Sequence, residues 1–340
     1  MDRKSLARYI IIFSSPVVIL FTIVVSICLG STDIQLKEVY HAIFSFDPEN
    51  VQQTIVRTSR LPRAVGSLLI GVLLAISGAL MQGMTRNYLA SPSIMGVSDG
   101  AAFVITIALI TLPHLSSLEM LLLSFIGSII GIALVFGLAA CIRNGFSPVR
   151  LAIIGTVIGT FLSSLSQALA SYYQVSQTMS FWYNARLHQI NSELLLYSFP
   201  IACVGMIMAL LLAKSITILS LGKETATGLG QKTWLIQIVA IISVGLMTGV
   251  GVALAGKIAF VGLIIPHIVR FLVGVDYKWV IPCSGIIGGV FLVVCDVISR
   301  FVHYPFETPI GVVTTLVGIP FFLYLIKKKG GEQHRTERAY

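Results

Sequence analysis

The chain has 340 residues, of which 56% are hydrophobic and only 11% charged, and it carries a net charge of +9. An ordinary soluble domain has about 25% charged residues, so a water-soluble globule is excluded. A β-barrel is excluded as well, because its strands need about 10 alternating residues each and the apolar runs here are longer and broken by glycine.

What remains is an all-α polytopic membrane protein, a single transmembrane domain over residues 1–340. The first apolar run, 9–30, follows a basic start with Arg3, Lys4 and Arg8. It is longer than the roughly 7–15 residues of a signal-peptide core and no A-x-A site follows, so it reads as a retained span with its N-terminus in the cytoplasm. A helix crosses a bilayer with about 20 apolar residues. On that criterion further spans are expected at 62–83, 94–112, 118–140, 149–171, 194–213, 234–255, 258–273, 279–299 and 309–326, about ten in all. The eighth is short and broken by Gly262 and Pro266. A broken helix at membrane depth is tolerated only inside protein or along a cavity.

If orientation alternates from the first span, 16 of the 23 lysines and arginines fall inside and 7 outside, Lys257 among the latter. That bias agrees with the positive-inside rule and places both termini in the cytoplasm. It also accounts for the net charge without nucleic acid. The arginines of "RTSRLPR", Arg57, Arg60 and Arg63, run against the rule at the outer end of the second span and need a local reason. The strings "GVLLAISG" at 71–78 and "GVGVALAG" at 249–256 echo each other in spans of opposite direction, which suggests an inverted repeat of two halves.

Three stretches are too polar or too punctuated for plain spans. "QGMTRNYLASPSIMGVSDGA" at 82–101 ends the second span. "LGKETATGLGQ" at 221–231, inside a cytoplasmic loop over 215–232, reads as one short helix bracketed by Gly222 and Gly230, with Glu224 in its first turn where a carboxylate suits the helix dipole. "GKIAFVGLIIPHIVRFLVG" at 256–274 is the broken helix.

These stretches, with "RLPR" at 60–63, "AGKIAFVGLIIPHIVR" at 255–270, "D––SR" at 296–300 and "P-E-TPIGVV" from 305, resemble the FecCD-type permease subunits of type II ABC importers. Two departures stand out: Tyr88 and Ser91 in "RNYLASP", and "FWYNARL" after the fifth span. The resemblance implies import of an iron–siderophore complex, with haem or vitamin B12 as alternatives. It implies that Arg60, Arg63 and Arg300 receive carboxylates of an extracytoplasmic substrate-binding protein. It implies that Leu221, Gly222, Glu224, Ala226, Gly228, Leu229 and Gly230 couple to cytoplasmic ATP-binding subunits. It implies as well that a second permease copy or a paralogue completes the pore in the cell membrane, embedded in lipid.

No G-x-x-x-x-G-K-[ST] motif occurs, so no cofactor is expected on this chain; ATP and Mg belong to the partner ATPase. Arg57, outside the motif, reads as an anchor for the span end. Asp99 and Asp296 read as structural, and Asp296 stands one turn from Arg300, where the two can pair. His267 reads as a structural residue of its apolar segment, and the other histidines show no metal spacing. The five cysteines have no ligand spacing either and read as small buried hydrophobes. An ion-coupled secondary transporter would need a carboxylate site near the midplane, and an intramembrane enzyme a catalytic constellation. The sequence offers little for the first and no H-E-x-x-H or G-x-S-x-G for the second.

Overall fold

The computed structural model describes residues 3–30, 33–112, 114–142, 147–183, 187–304, 306–321 and 323. Among them every regular element is a helix, and the β feature is an isolated bridge between His303 and Phe306. In chain order the helices are α1 (Arg3–Cys28), α2 (Leu36–Phe44), α3 (Val51–Ile55), α4 (Leu61–Thr85), α5 (Val97–Thr111), α6 (Ser117–Cys141) and α7 (Pro148–Tyr172). Then follow α8 (Ser176–Tyr183), α9 (Ser192–Leu221), α10 (Lys223–Gly228), α11 (Thr233–Ala255), α12 (Val261–Val273), α13 (Tyr277–Phe301) and α14 (Ile310–Phe321). Seven are long and apolar enough to cross a membrane: α1, the rod Val51–Thr85 that ends in α4, α6, α7, α9, α11 and α13. The expected spans at 94–112, 258–273 and 309–326 carry the shorter helices α5, α12 and α14. The basic tail from Lys327 onward lies outside the described residues.

Helix α4 is the axis. It packs against α9, α11, α12 and α13 and is buried along nearly its whole length. In lipid, helices are drawn together by close packing rather than by escape from water, so small residues set the distance. A Cβ at Gly78 would lie 1.8 Å from the carbonyl oxygen of Gly262 on α12, and one at Gly71 2.3 Å from that of Gly288 on α13. The echoing string on α11 packs differently: Gly249 meets the ring of Phe125 on α6, and Gly251 the side chain of Leu74.

The Gly78–Gly262 approach explains the short helices. After α4 the chain turns at Arg86 (φ 52°), returns through a single 3-10 turn at Pro92–Met95, and enters α5 from Gly96 (φ 70°). Pro92 packs beside Gly262, so the chain enters α5 from a level well short of the end of α4 at Thr85, near Gly78. After α11 the chain turns at Gly256 and Phe260, both at positive φ, and α12 begins at the same level. Two half-length helices thus start deep in the bundle. Lys257 lies in the second of these turns beside Asp99, not at an outer span end as alternation of full spans places it. Cys283 and Cys295 are buried as expected, Cys28 and Cys203 are partly buried, and Cys141 at the end of α6 is exposed.

Candidate functional site

Two groups of residues occupy opposite ends of the α4 axis. At its N-terminal end, a π-turn (Val56–Arg60) joins α3 to α4 without a break, which sets Arg57, Arg60 and Arg63 on one helical rod. Arg63 grips Asp296 of α13 with two nitrogens, Nε at 3.0 Å and Nη2 at 2.8 Å from Oδ1, and donates from Nη1 to Glu307 Oε1 at 2.7 Å. Arg300 donates to the other oxygen of Asp296 from one turn further along α13. Its Nη1 also donates to the carbonyls of Ser26 (2.7 Å) and Leu29 (2.8 Å), and Arg60 donates to the same Leu29 carbonyl at 2.7 Å. Those carbonyls end α1, where the last turn leaves acceptors without intrahelical partners and the helix dipole favours cations.

The structure therefore brings Arg60, Arg63 and Arg300 into one cluster, exposed to only 8%, 7% and 5%. Three guanidiniums face two carboxylates, Asp296 and Glu307, leaving one positive charge in excess. Asp296 is fully buried, whereas the Glu307 side chain is 44% exposed. Burial acts to raise the Glu307 carboxyl, but the hydrogen bond and charge of Arg63 outweigh it and hold the group below its ordinary value. Glu307 is thus a solvent-facing carboxylate already seated on an arginine fork, the geometry that an incoming carboxylate would copy. Arg57 stands apart. It donates to the carbonyls of Ala42 (2.6 Å) and Ile43 (3.4 Å) at the end of α2 and lies over the Phe46 ring at 4.3 Å. It is a staple for α2 as well as an exposed cation, a role that the sequence did not reveal because α2 itself was not expected. Glu307 stands within the motif from 305, yet nothing in the sequence names Arg63 as its partner.

At the opposite end, α9 stops at Leu221, Gly222 (φ 142°) breaks the direction, α10 spans Lys223–Gly228, and Gly230 (φ 81°) turns the chain toward α11. Ala226 is buried, while Leu221, Glu224, Gly228 and Leu229 are exposed. Just before this element, Ile216 and Tyr277 both press on Gly83 of α4. The Thr217 hydroxyl donates to Asp276 Oδ1 at 3.2 Å and accepts from the Tyr277 N–H at 2.9 Å. The short helix is therefore fastened to α4 and α13, the two helices that carry Arg63, Asp296 and Arg300 at their far ends. His267 sits edge-on between the rings of Tyr88 and Phe321. No group of three or more His, Cys, Asp or Glu able to hold a metal occurs among the described residues. Of "FWYNARL", residues 184–186 lie outside the described residues, and Trp182 is buried.

The FecCD transport family matches residues 18–328. The chain belongs to that family. An iron-uptake system permease protein, FeuB of Bacillus subtilis, is 57% identical over 325 residues, covering 96% of this chain and 97% of its own. An iron(3+)-hydroxamate import system permease protein, FhuB of the same organism, is 47% identical over 307 residues, 89% of this chain and 79% of the relative. A solved inward-facing conformation of a metal-chelate type ABC transporter superposes with a TM-score of 0.81 at 29% identity, over 94% of this chain and 99% of that one. This FecCD protein is accordingly a multi-pass membrane permease, a transport subunit and not an enzyme.

Proposed function

We propose that this FecCD permease imports a ferric siderophore, received from an extracytoplasmic binding protein and driven by ATP hydrolysis on separate cytoplasmic subunits. The 57% identity to the iron-uptake permease, over nearly the full length of both chains, carries the reading. In it the arginine end faces outward and both termini lie in the cytoplasm. The excess positive charge of Arg60, Arg63 and Arg300 attracts carboxylates of the binding protein, and Glu307 is the resident group that they join or displace. On the other face α10 rests on the ATPase. Nucleotide binding closes the ATPase dimer, α10 moves with it, and a pore between this chain and a second copy or paralogue opens alternately to each side. ATP and Mg stay on the ATPase.

The test is uptake of radioactive iron, supplied as ferric chelates, into cells lacking this permease and into the same cells with it restored. Restored uptake that stops when the partner ATPase is inactivated is the expected result. Equal uptake in both strains for every ferric chelate tried would overturn the proposal.

A further inference from the structure

The turn between α11 and α12 puts a charge where lipid tolerates none. Lys257 Nζ lies 3.3 Å from Asp99 Oδ1 in the first turn of α5. Asp99 in turn touches Gly159, near the middle of α7, where a Cβ would stand 2.7 Å from its Oδ2. The pair is thus halfway along a 25-residue helix. The two partners are not equally covered: the Asp99 side chain is 13% exposed and that of Lys257 46%. From outside the bundle the ammonium is far more accessible than the carboxylate beneath it. A half-exposed ammonium at this depth is costly against hydrocarbon and tolerable against water. The other charged residue in α5, α7, α11 and α14 is Arg150, in the first turn of α7.

The surroundings are polar. Ser91, Ser98 and Thr248 line a small recess beside the turn. Toward the arginine end, a cavity of about 250 Å³ between α7 and α8 is lined by Ser166, Gln167, Ser180 and Tyr183. The exposed side of α7 carries Thr156, Thr160 and Ser164 at four-residue spacing, one row on one face.

We infer that Lys257 faces a water-filled passage and selects anionic cargo, a negatively charged metal chelate, with Asp99 as the covered counter-charge that positions it. The selection rests on the importer reading above; the electrostatics of the passage do not. An ammonium on the wall of a low-dielectric passage raises the local concentration of anions and lowers that of cations.

Two measurements test this on the permease assembled with its ATPase. In a background with the five native cysteines replaced by serine, Thr160→Cys is reacted with water-soluble thiosulfonates, one anionic and one cationic. The anionic reagent is expected to react faster, and Lys257→Gln to lower the anionic-to-cationic rate ratio by about tenfold, the change of one 1.4 kcal/mol interaction. No reaction at the introduced thiol, or an unchanged ratio, overturns the inference. In the second, uptake of a ferric tris-catecholate, an anion, is expected to fall about tenfold with Lys257→Gln and to recover with Lys257→Arg. If uptake falls equally in both because the assembly is lost, and the neutral pair Lys257→Gln with Asp99→Asn restores it, Lys257 is only a structural partner of Asp99 and the inference is wrong. If the unaltered protein takes up no ferric chelate while the reagent ratio behaves as expected, the importer reading fails and the charged passage stands.

Discussion

Asp296 has no water to share and two guanidiniums to hold. Removing it leaves Arg63 and Arg300 buried without their common acceptor, and an uncompensated buried charge is far costlier than the pair was worth. Asp296→Ala is expected to destabilise the permease by about 3–5 kcal/mol, read as early loss of the folded protein on heating in detergent. Equal thermal stability of variant and parent would show that the cluster is solvated. Glu307 behaves differently because it reaches water. Its folded-state value lies below its unfolded one, so the stabilisation is present above the unfolded value and is lost as pH falls through the folded value. Glu307→Gln should therefore lower thermal stability near neutral pH, and the difference should begin to shrink as pH enters the ordinary glutamate range, about 4, and vanish only below the depressed folded value. A difference that persists in acid would mean that the carboxylate does not hold Arg63 through its charge.

Helix α10 owes its place to two glycines at positive φ, and a third glycine shows what that requirement means. A β-branched residue at Gly222 would be forced into a conformation that its Cβ opposes. Gly222→Val is expected to uncouple ATP hydrolysis from transport, measured as hydrolysis that continues while uptake falls. Gly228 lies inside the helix, with open space where a Cβ would stand, and Gly228→Ala should leave stability within about 0.5 kcal/mol and the two turns intact. If both variants behave alike, the turn geometry does not matter to coupling. This element was legible in the sequence because glycines bracket a polar run. Of the half-length helices, α12 was legible as a short broken helix at membrane depth, whereas α5 was expected as an ordinary span, and the common level at which the two begin was not legible. Their level is set by Gly78 meeting Gly262, residues in opposite halves of the chain, and no local pattern records that distance. Helix α2 was missed for another reason. Its nine residues fall far short of a span, and its apolar side is held by Val39 and Ala42 against α1 and the start of α4, a contact that appears only once the chain is folded. Likewise Asp296 and Arg300, one turn apart, could be paired by spacing, while Arg63 and Glu307 join them only through tertiary packing.

At the scale of the whole molecule, the arginine cluster and α10 lie at opposite ends of α4 and α13, and the membrane runs between them. Cysteines placed at Ser59 and at Thr336, in a background without the native thiols, should label from opposite sides with an impermeant reagent. Labelling of both from one side would overturn the orientation. The background matters, since Cys141 is exposed and would report on its own. The unbroken rod from Val51 to Thr85 has a further consequence. Its 35 residues make a strut about 50 Å long at 1.5 Å per residue. A strut cannot shorten, but it can pivot, and its tightest bearing is the backbone contact of Gly78 on Gly262. That fulcrum divides the rod unequally, with the arginines on the long arm and Gly83, pressed by Ile216 and Tyr277, on the short one. Gly71 on Gly288 and Arg63 on Asp296 fasten the long arm to α13, so a tilt driven from the short arm would carry both helices, and a displacement beside α10 would be larger at the surface that carries Arg60 and Arg63.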